Sequence, residues 1–120
     1  MALHEGVLLA FFDLPMESKK DQQGYRKWRK VLEEEGFQRI QKSVYLKYIR
    51  HYRMYPYLMK RLFKGVKEIN GTIYLLPLSK GQFEKMVSLI GGLPQLPTQS
   101  VHWIQEPNKE AQHGKILYDC

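Results

Sequence analysis

The sequence predicts a single α+β domain built on an antiparallel sheet, and three observations carry that prediction. Residues 6–12 form an apolar run that ends at Asp13 and Pro15, which is typical of a strand buried on both faces. Residues 38–49 alternate in polarity, as a half-buried strand does. Other segments carry apolar side chains at helical spacing, and a chain of 120 residues is the size of one domain.

The first helix is predicted to begin at Ser18 and to end at Gly36. Asp21 follows Ser18 at the spacing that favours a capped helix N-terminus. Gly36 suits the left-handed conformation in which many helices end. The apolar positions at helical spacing are Tyr25, Trp28 and Leu32. This segment therefore presents one apolar stripe.

The strand predicted over residues 38–49 has two different sides. Its apolar side carries Ile40, Val44, Leu46 and Tyr48, together with Lys42. Its more polar side carries Gln41, Ser43, Tyr45 and Lys47. Residues 55–66 then repeat apolar side chains at helical spacing, which predicts a short helix. Its aromatic and methionine stripe is typical of core packing rather than of a cofactor site.

The remaining sequence predicts one more clear strand and one more helix. Asn70-Gly71 is a turn signal, and residues 72–78 form the next strand. Ser79 and Gln82 have the spacing of a capping box, which predicts a helix over residues 79–90. Gly91-Gly92 is expected to end that helix.

Two further strands are expected near the C-terminus, over residues 101–104 and 115–118. The whole order becomes strand, helix, strand, short helix, strand, helix, strand, followed by a tail. Apart from the extra short helix, this is the β-α-β-β-α-β order of ferredoxin-like domains. We expect that domain to span residues 1–105, and the tail at 106–120 to pack its short strand on a partner protomer. Strands that are apolar on both sides favour a homodimer whose sheets face each other.

Charge points to a polyanionic partner. The net charge is +7, and only Lys109 and Lys115 of the 19 basic residues lie outside the segment 19–85. A basic body of this kind favours nucleic acid, although a merely soluble surface would have the same composition. The candidate contacts to the nucleic-acid backbone are Lys19, Lys20, Arg26, Lys27, Arg29, Lys30, Lys47, Arg50 and Arg53.

The chain has few residues on which catalysis could rest. It carries no glycine-rich phosphate loop and no zinc-protease or serine-hydrolase motif. Its lone cysteine, Cys120, leaves no internal disulfide, which suits a cytoplasmic protein. The histidines, at positions 4, 51, 102 and 113, lack metal-ligand spacing. No segment has the length and apolarity of a membrane span or the form of a signal peptide.

Asp13 is the best candidate for a catalytic group, since it stands at the end of a core strand. The alternative is that Asp13 begins a turn. One carboxylate would hold Mg²⁺ weakly, but a twofold axis would supply a second copy. Glu17 and Asp21 are possible helpers, or simply favourable charges at a helix N-terminus.

Four motifs occur in order along the chain. They are F-D-L-P at 12–15, Y-R-K-W-R-K at 25–30, E-G-F at 35–37 and Q-K-S-V-Y at 41–45. Together they resemble the small CRISPR-associated endonuclease of spacer acquisition, and most closely its version from type II systems. The resemblance extends from residue 6 to about residue 90 and is weaker near 101–104.

This resemblance implies a ferredoxin-like homodimer whose C-terminal strand packs on the partner. Such dimers join the CRISPR integrase in a heterohexamer, where two integrase dimers flank one dimer of this kind and insert short DNA into the repeat array. The resemblance also implies metal-dependent cleavage of RNA or DNA, with Asp13 as the metal-binding aspartate. Catalysis is uneven in the family, and some members act as scaffolds.

Three functional hypotheses therefore stand. In the first, paired Asp13 carboxylates hold Mg²⁺ for phosphodiester hydrolysis, and Ser43 and Tyr45 position the phosphate, unless those two serve the sheet or an interface. In the second, the protein is a non-catalytic DNA-holding scaffold that binds through its basic residues. The third is a toxin-like RNA interferase, because one fold hosts several functions.

Overall fold

The computed structural model describes residues 5–95, which form an α+β fold around one four-stranded sheet. The elements are β1 (Gly6–Asp13), α1 (Lys19–Glu34), β2 (Gln38–Gln41), β3 (Val44–Ile49), a 3-10 helix (Tyr52–Met54), α2 (Tyr55–Gly65), β4 (Thr72–Ser79) and α3 (Lys80–Phe83). The strand order is β2-β3-β1-β4, and all neighbours are antiparallel. This arrangement confirms the predicted ferredoxin-like class.

Several predictions concern residues outside this range. The strands expected at 101–104 and 115–118, the end of the domain at 105 and the tail at 106–120 lie outside the described residues. So do His4, His102, His113 and Cys120. Within residues 5–95, no helix has both the length and the apolar character needed to cross a membrane.

Strand β1 is buried on both faces, as its apolar run predicts. Leu8, Ala10 and Phe12 belong to the larger core, which also contains the buried residues of α1 and α2. Val7 and Leu9 face the other side, where they pack with Leu46 and Phe83, among others. Because successive side chains of a strand point to opposite faces, β1 supplies both cores.

An aromatic cluster fills the space between β1 and α1. The ring of Phe12 meets the rings of Tyr25 and Trp28 edge to face, each at a centroid distance of 6.2 Å. The Tyr45 ring lies 5.8 Å from the same phenylalanine ring. Tyr45 shares a face of its strand with Lys47, as predicted, but that face lies under the helices and the tyrosine is almost fully buried. The expectation that this is the polar side is therefore wrong.

The N-terminus of α1 has the predicted cap. The Ser18 amide donates to Asp21 Oδ2 at 3.2 Å, and the Asp21 amide donates to Ser18 Oγ at 3.0 Å. The helix ends before Gly36, which has a φ of +86°. The predicted beginning and end of this helix are both confirmed, since each depends on local hydrogen bonding and on backbone conformation.

The single strand predicted over residues 38–49 is wrong, because it is a hairpin. Strands β2 and β3 are joined by a two-residue turn at Lys42-Ser43, across which Gln41 pairs with Val44. Lys42 therefore lies in the turn and not on the apolar side of a strand. The turn contains no glycine, asparagine, aspartate or proline, so Ser43 alone is a weak turn signal there.

The two helices after the hairpin differ from the prediction, because the one expected to be a short addition is a main helix and the one expected to be a main helix is short. The helix expected to be a short extra element is α2, which is the second main helix and buries Leu58 and Leu62 against the sheet. The helix predicted over residues 79–90 has only one turn, Lys80–Phe83, although its capping box is present. Beyond it, Met86 packs on the second core but Val87 and Ile90 are exposed, so little packing supports a longer helix. The extra short helix is thus α3.

Replacing Phe83 by alanine tests whether α3 covers the second face of the sheet. This ring is buried against Val7, Leu9 and Leu46, so we expect Phe83→Ala to lower the free energy of unfolding by about 3–5 kcal/mol. Urea denaturation followed by circular dichroism measures this change. The control Leu89→Ala removes a side chain that is 92% exposed, and should cost no more than about 0.5 kcal/mol. Equal effects would contradict the packing of α3.

Candidate active site and nucleic-acid surface

Asp13 is the last residue of β1, and its side chain is exposed, whereas the strand before it is largely buried. The pairing of β1 with β3 ends at Phe11 and Val44, but its pairing with β4 continues to Asp13 and Thr72. The carboxylate therefore stands at one end of the sheet, beyond the cover that β3 provides. Strand alternation puts Asp13 on the same face as Phe11, opposite the face that packs on the helices.

Two turns meet at this end of the sheet. The Phe12 amide donates to the Ser43 carbonyl at 3.1 Å. This bond holds the β2–β3 turn against the residue that precedes Asp13. Gly71, at the start of β4, has a φ of +117°, and a Cβ there would lie 2.6 Å from the Asp13 carbonyl oxygen. The backbone at Gly71 therefore packs directly against the backbone of Asp13, and no space is left for a side chain at position 71. Half-buried Ser43 is the predicted partner residue that the fold brings to the same sheet end.

Tyr45 lies elsewhere. It pairs with Ala10, and its ring is in the helix-side core, so it occupies the face opposite to Asp13. The interaction with the Tyr45 side chain raises the pKa of the Arg29 guanidinium. Its burial gives Tyr45 a role in the sheet core, which is the alternative left open for it. The Tyr45 ring and the Asp13 carboxylate therefore lie on opposite faces of the sheet.

The donor set around Asp13 limits the metal that the chain can hold. Asp21 is engaged in the α1 capping box, and Glu17 is exposed just before it. Within the part of the chain that the structure describes, no three His, Cys, Asp or Glu side chains form a group able to hold a metal ion. Mg²⁺ accepts sites with one or two protein carboxylates and several waters. Asp13 fits Mg²⁺ as a single carboxylate ligand.

The basic residues of α1 that are predicted to contact nucleic acid lie on different sides of the helix. Lys19, Arg26 and Lys30 are exposed and recur at i, i+7 and i+11, so they form one stripe on the outward face. Lys20 is exposed on the flank of the helix, where Lys27 Nζ donates to the Lys67 carbonyl at 3.2 Å.

Arg29 is half-buried and lies off that outward stripe. Its guanidinium forms an ion pair with Glu33 at 3.7 Å, one helical turn away. This ion pair holds the Arg29 guanidinium along its own helix. The outward stripe of α1 is therefore the part of the helix best placed for a phosphate backbone.

Lys47 is part of a network that sequence reasoning missed. Its ammonium donates to the Glu35 carbonyl at 2.7 Å, so it satisfies a carbonyl at the C-terminus of α1. Burial lowers the pKa of Lys47, and the Glu35 charge acts in the opposite direction. Both oxygens of the Glu35 carboxylate in turn share the single N–H of Arg61 Nε, each at 2.9 Å from the nitrogen. No local pattern predicts a pair that lies 26 residues apart.

Arg50 and Arg53 are exposed, but they lie far from the start of α1. They follow Ile49, which pairs with Gly6 at the beginning of β1, whereas Asp13 ends that strand. The nine predicted cations are therefore spread over both ends of the sheet and one helix.

The geometry defines a class of protein: a ferredoxin-like domain with an exposed aspartate at the end of its central strand and a basic helix beside it. The model of the family described as CRISPR associated protein Cas2 matches residues 7–86. The chain belongs to this family.

Curated relatives support the assignment. Each of the following is named CRISPR-associated endoribonuclease Cas2. The protein of Lacticaseibacillus rhamnosus is 33% identical over 84 residues, which cover 70% of this chain and 82% of the relative. That of Acidovorax ebreus is 33% identical over 98 residues, covering 82% and 94%. That of Streptococcus mutans is 36% identical over 84 residues, covering 70% and 78%.

Gly71 offers a test of how the Asp13 strand end is held. We expect Gly71→Ala to lower the free energy of unfolding by about 1–3 kcal/mol, because a Cβ there would clash with the Asp13 carbonyl and the φ is unfavourable. Chemical denaturation measures this loss, and NMR should show displaced amide signals for Asp13 and Leu14. Gly81→Ala is the control, since a Cβ there meets nothing within 4 Å. An unchanged Gly71→Ala protein would refute the close approach.

Proposed function

We propose that this chain is a CRISPR adaptation subunit that acts as a homodimer and cleaves RNA with Asp13 as its metal-binding carboxylate. The observation that carries the proposal is the exposed aspartate at the end of an otherwise buried strand. Membership of the Cas2 family and the names of the relatives, which are endoribonucleases, support it.

The homodimer is supported by the uncovered part of the sheet. On the face opposite α1 and α2, Tyr74 is 67% exposed and Leu76 is 43% exposed. Tyr74 and Leu76 lie beside Phe11 and Leu9 of the neighbouring strand β1, near the strand end that carries Asp13. A twofold axis through this surface would bury apolar area and bring two Asp13 carboxylates towards each other. Strand β4, which is an edge among residues 5–95, would receive the partner's tail strand.

Mg²⁺ is the metal that we assign to the paired carboxylates. When bound, it would activate water and offset the charge that develops on the attacked phosphate. Asp13 of each protomer would hold the ion, in keeping with the preference of Mg²⁺ for oxygen ligands. The Ser43 hydroxyl, at the same sheet end, would orient the phosphate by donating a hydrogen bond.

A second candidate function is a DNA-holding scaffold without catalysis. It is favoured by the outward stripe of Lys19, Arg26 and Lys30, which suits backbone contacts that do not read sequence. In either role the dimer would join two integrase dimers in the heterohexamer that inserts spacers. The two candidates differ in what Asp13 does, so one variant separates them.

Asp13→Ala should abolish cleavage while it preserves the dimer. We expect its Mg²⁺-dependent cleavage of labelled RNA to fall below about 1% of the wild-type rate, because the metal would lose its protein ligand. The assay compares matched dimeric preparations with Mg²⁺ and with EDTA, on RNA and on duplex DNA. Glu34→Ala is the control, since it removes an exposed acid at the opposite end of α1. Equal cleavage by Asp13→Ala and wild type, or none by either, would leave the scaffold as the function.

Removing the α1 stripe should weaken the salt dependence of DNA binding. Each phosphate contact contributes about 0.9 to the slope of log K against log salt on duplex DNA, so the triple variant Lys19→Gln, Arg26→Gln, Lys30→Gln should lose about 2.7. Fluorescence anisotropy across a salt series measures the slope. Lys85→Gln is the control, an exposed cation that follows α3. An unchanged slope in the triple variant would show that DNA does not follow this helix.

A further inference from the structure

One segment of the chain has an unusually one-sided charge. From Phe37 to Lys67 there is no aspartate or glutamate. The basic residues of this segment are Arg39, Lys42, Lys47, Arg50, Arg53, Lys60, Arg61, Lys64 and Lys67. Helix α2 lies inside the segment, and none of the cations of α2 belongs to the set proposed above for DNA.

The outward face of α2 combines an aromatic ring with free cations. Leu58 and Leu62 point into the core, whereas Tyr57, Lys60 and Lys64 recur at i, i+3 and i+7 and are exposed. The tyrosine side chain is 68% exposed. Neither lysine has an ion pair with a residue of the described range 5–95. This surface is called the α2 face below.

We propose that the α2 face binds single-stranded RNA. Tyr57 would stack on an unpaired base, while Lys60 and Lys64 would neutralise the phosphates on either side. The bases of a duplex are already stacked on one another, so the exposed ring favours a single strand. That the strand is RNA rests on the proposed endoribonuclease function.

The outward face of α1 differs in ways that assign it another ligand. Its cations stand beside Glu33 and Glu34, and its exposed positions carry no aromatic ring. It can follow a phosphate backbone but cannot stack on a base. Helix α1 would thus contact duplex nucleic acid, and helix α2 would contact single-stranded RNA.

The position of α2 is compatible with delivery of RNA to the strand end. Lys64 lies in the last turn of α2, and the chain then reaches Gly71, which abuts the Asp13 carbonyl, and Thr72, which pairs with Asp13. A strand that runs along α2 towards its C-terminus would therefore approach the end of the sheet that carries the candidate metal ligand.

The test measures binding without cleavage. A fluorescein-labelled oligouridylate of about 12 nucleotides, a length within typical single-strand site sizes, is titrated with the dimeric full chain carrying Asp13→Ala, in EDTA. Adding Tyr57→Ala should raise the Kd at least about fivefold, while Tyr57→Phe should stay within about twofold, because phenylalanine keeps the stacking ring. Adding Lys60→Gln and Lys64→Gln should reduce the salt slope by about 1.4.

The controls are Phe63→Ala and Lys85→Gln. Phe63 lies on the same helix and is 71% exposed, but it is not on the α2 face. A similar loss in Phe63→Ala and Tyr57→Ala, an unchanged Kd in Tyr57→Ala, or tighter binding of duplex RNA or of single-stranded DNA would overturn the proposal. Thermal melting confirms that each variant is folded. Because the readout needs neither Mg²⁺ nor Asp13, a failure of the cleavage assay would leave this result interpretable.

Discussion

The structure depends on the burial of β1 on both of its faces. One set of its side chains supports the layer of α1 and α2, and the other set supports the second face, where α3 adds Phe83. Removing both faces of a strand from water stabilises it strongly, at about 25 cal/mol for each Å² of apolar surface. The exposed carboxylate at Asp13 is possible only because the strand leaves that environment at its last residue.

The distribution of charge follows from the same architecture. Some cations stabilise the fold, such as Lys47 on the Glu35 carbonyl and Arg61 on the Glu35 carboxylate. Others face away from the sheet on the outward surfaces of α1 and α2. The net charge of +7 is therefore larger than the charge that any single binding surface presents. Each surface has its own chemistry, with charged side chains and no aromatic ring on the outward face of α1 and an aromatic ring among the lysines on α2.

The sequence predicts features that depend on neighbouring residues, but it does not predict how strands and helices are arranged in three dimensions. The Ser18 cap, the Gly36 helix end and the buried β1 depend on neighbouring residues, so their patterns suffice. The hairpin at Lys42-Ser43 is not predicted because polarity keeps alternating through a turn whose only turn-forming residue is a serine, a weak signal. The helix predicted to extend to residue 90 stops after Phe83, because a short helix lasts only where it packs.

The sequence by itself determined the ferredoxin-like class, the family and the position of Asp13 at the end of a core strand. All three depend on apolar periodicity, on turn residues and on short motifs, which are local properties of the chain. Only the tertiary structure decided that Tyr45 is a core residue on the face opposite Asp13, and that Lys47 and Arg61 converge on Glu35. Those outcomes depend on which strand lies beside which and on which face each side chain occupies, and a one-residue change of register would reverse the faces.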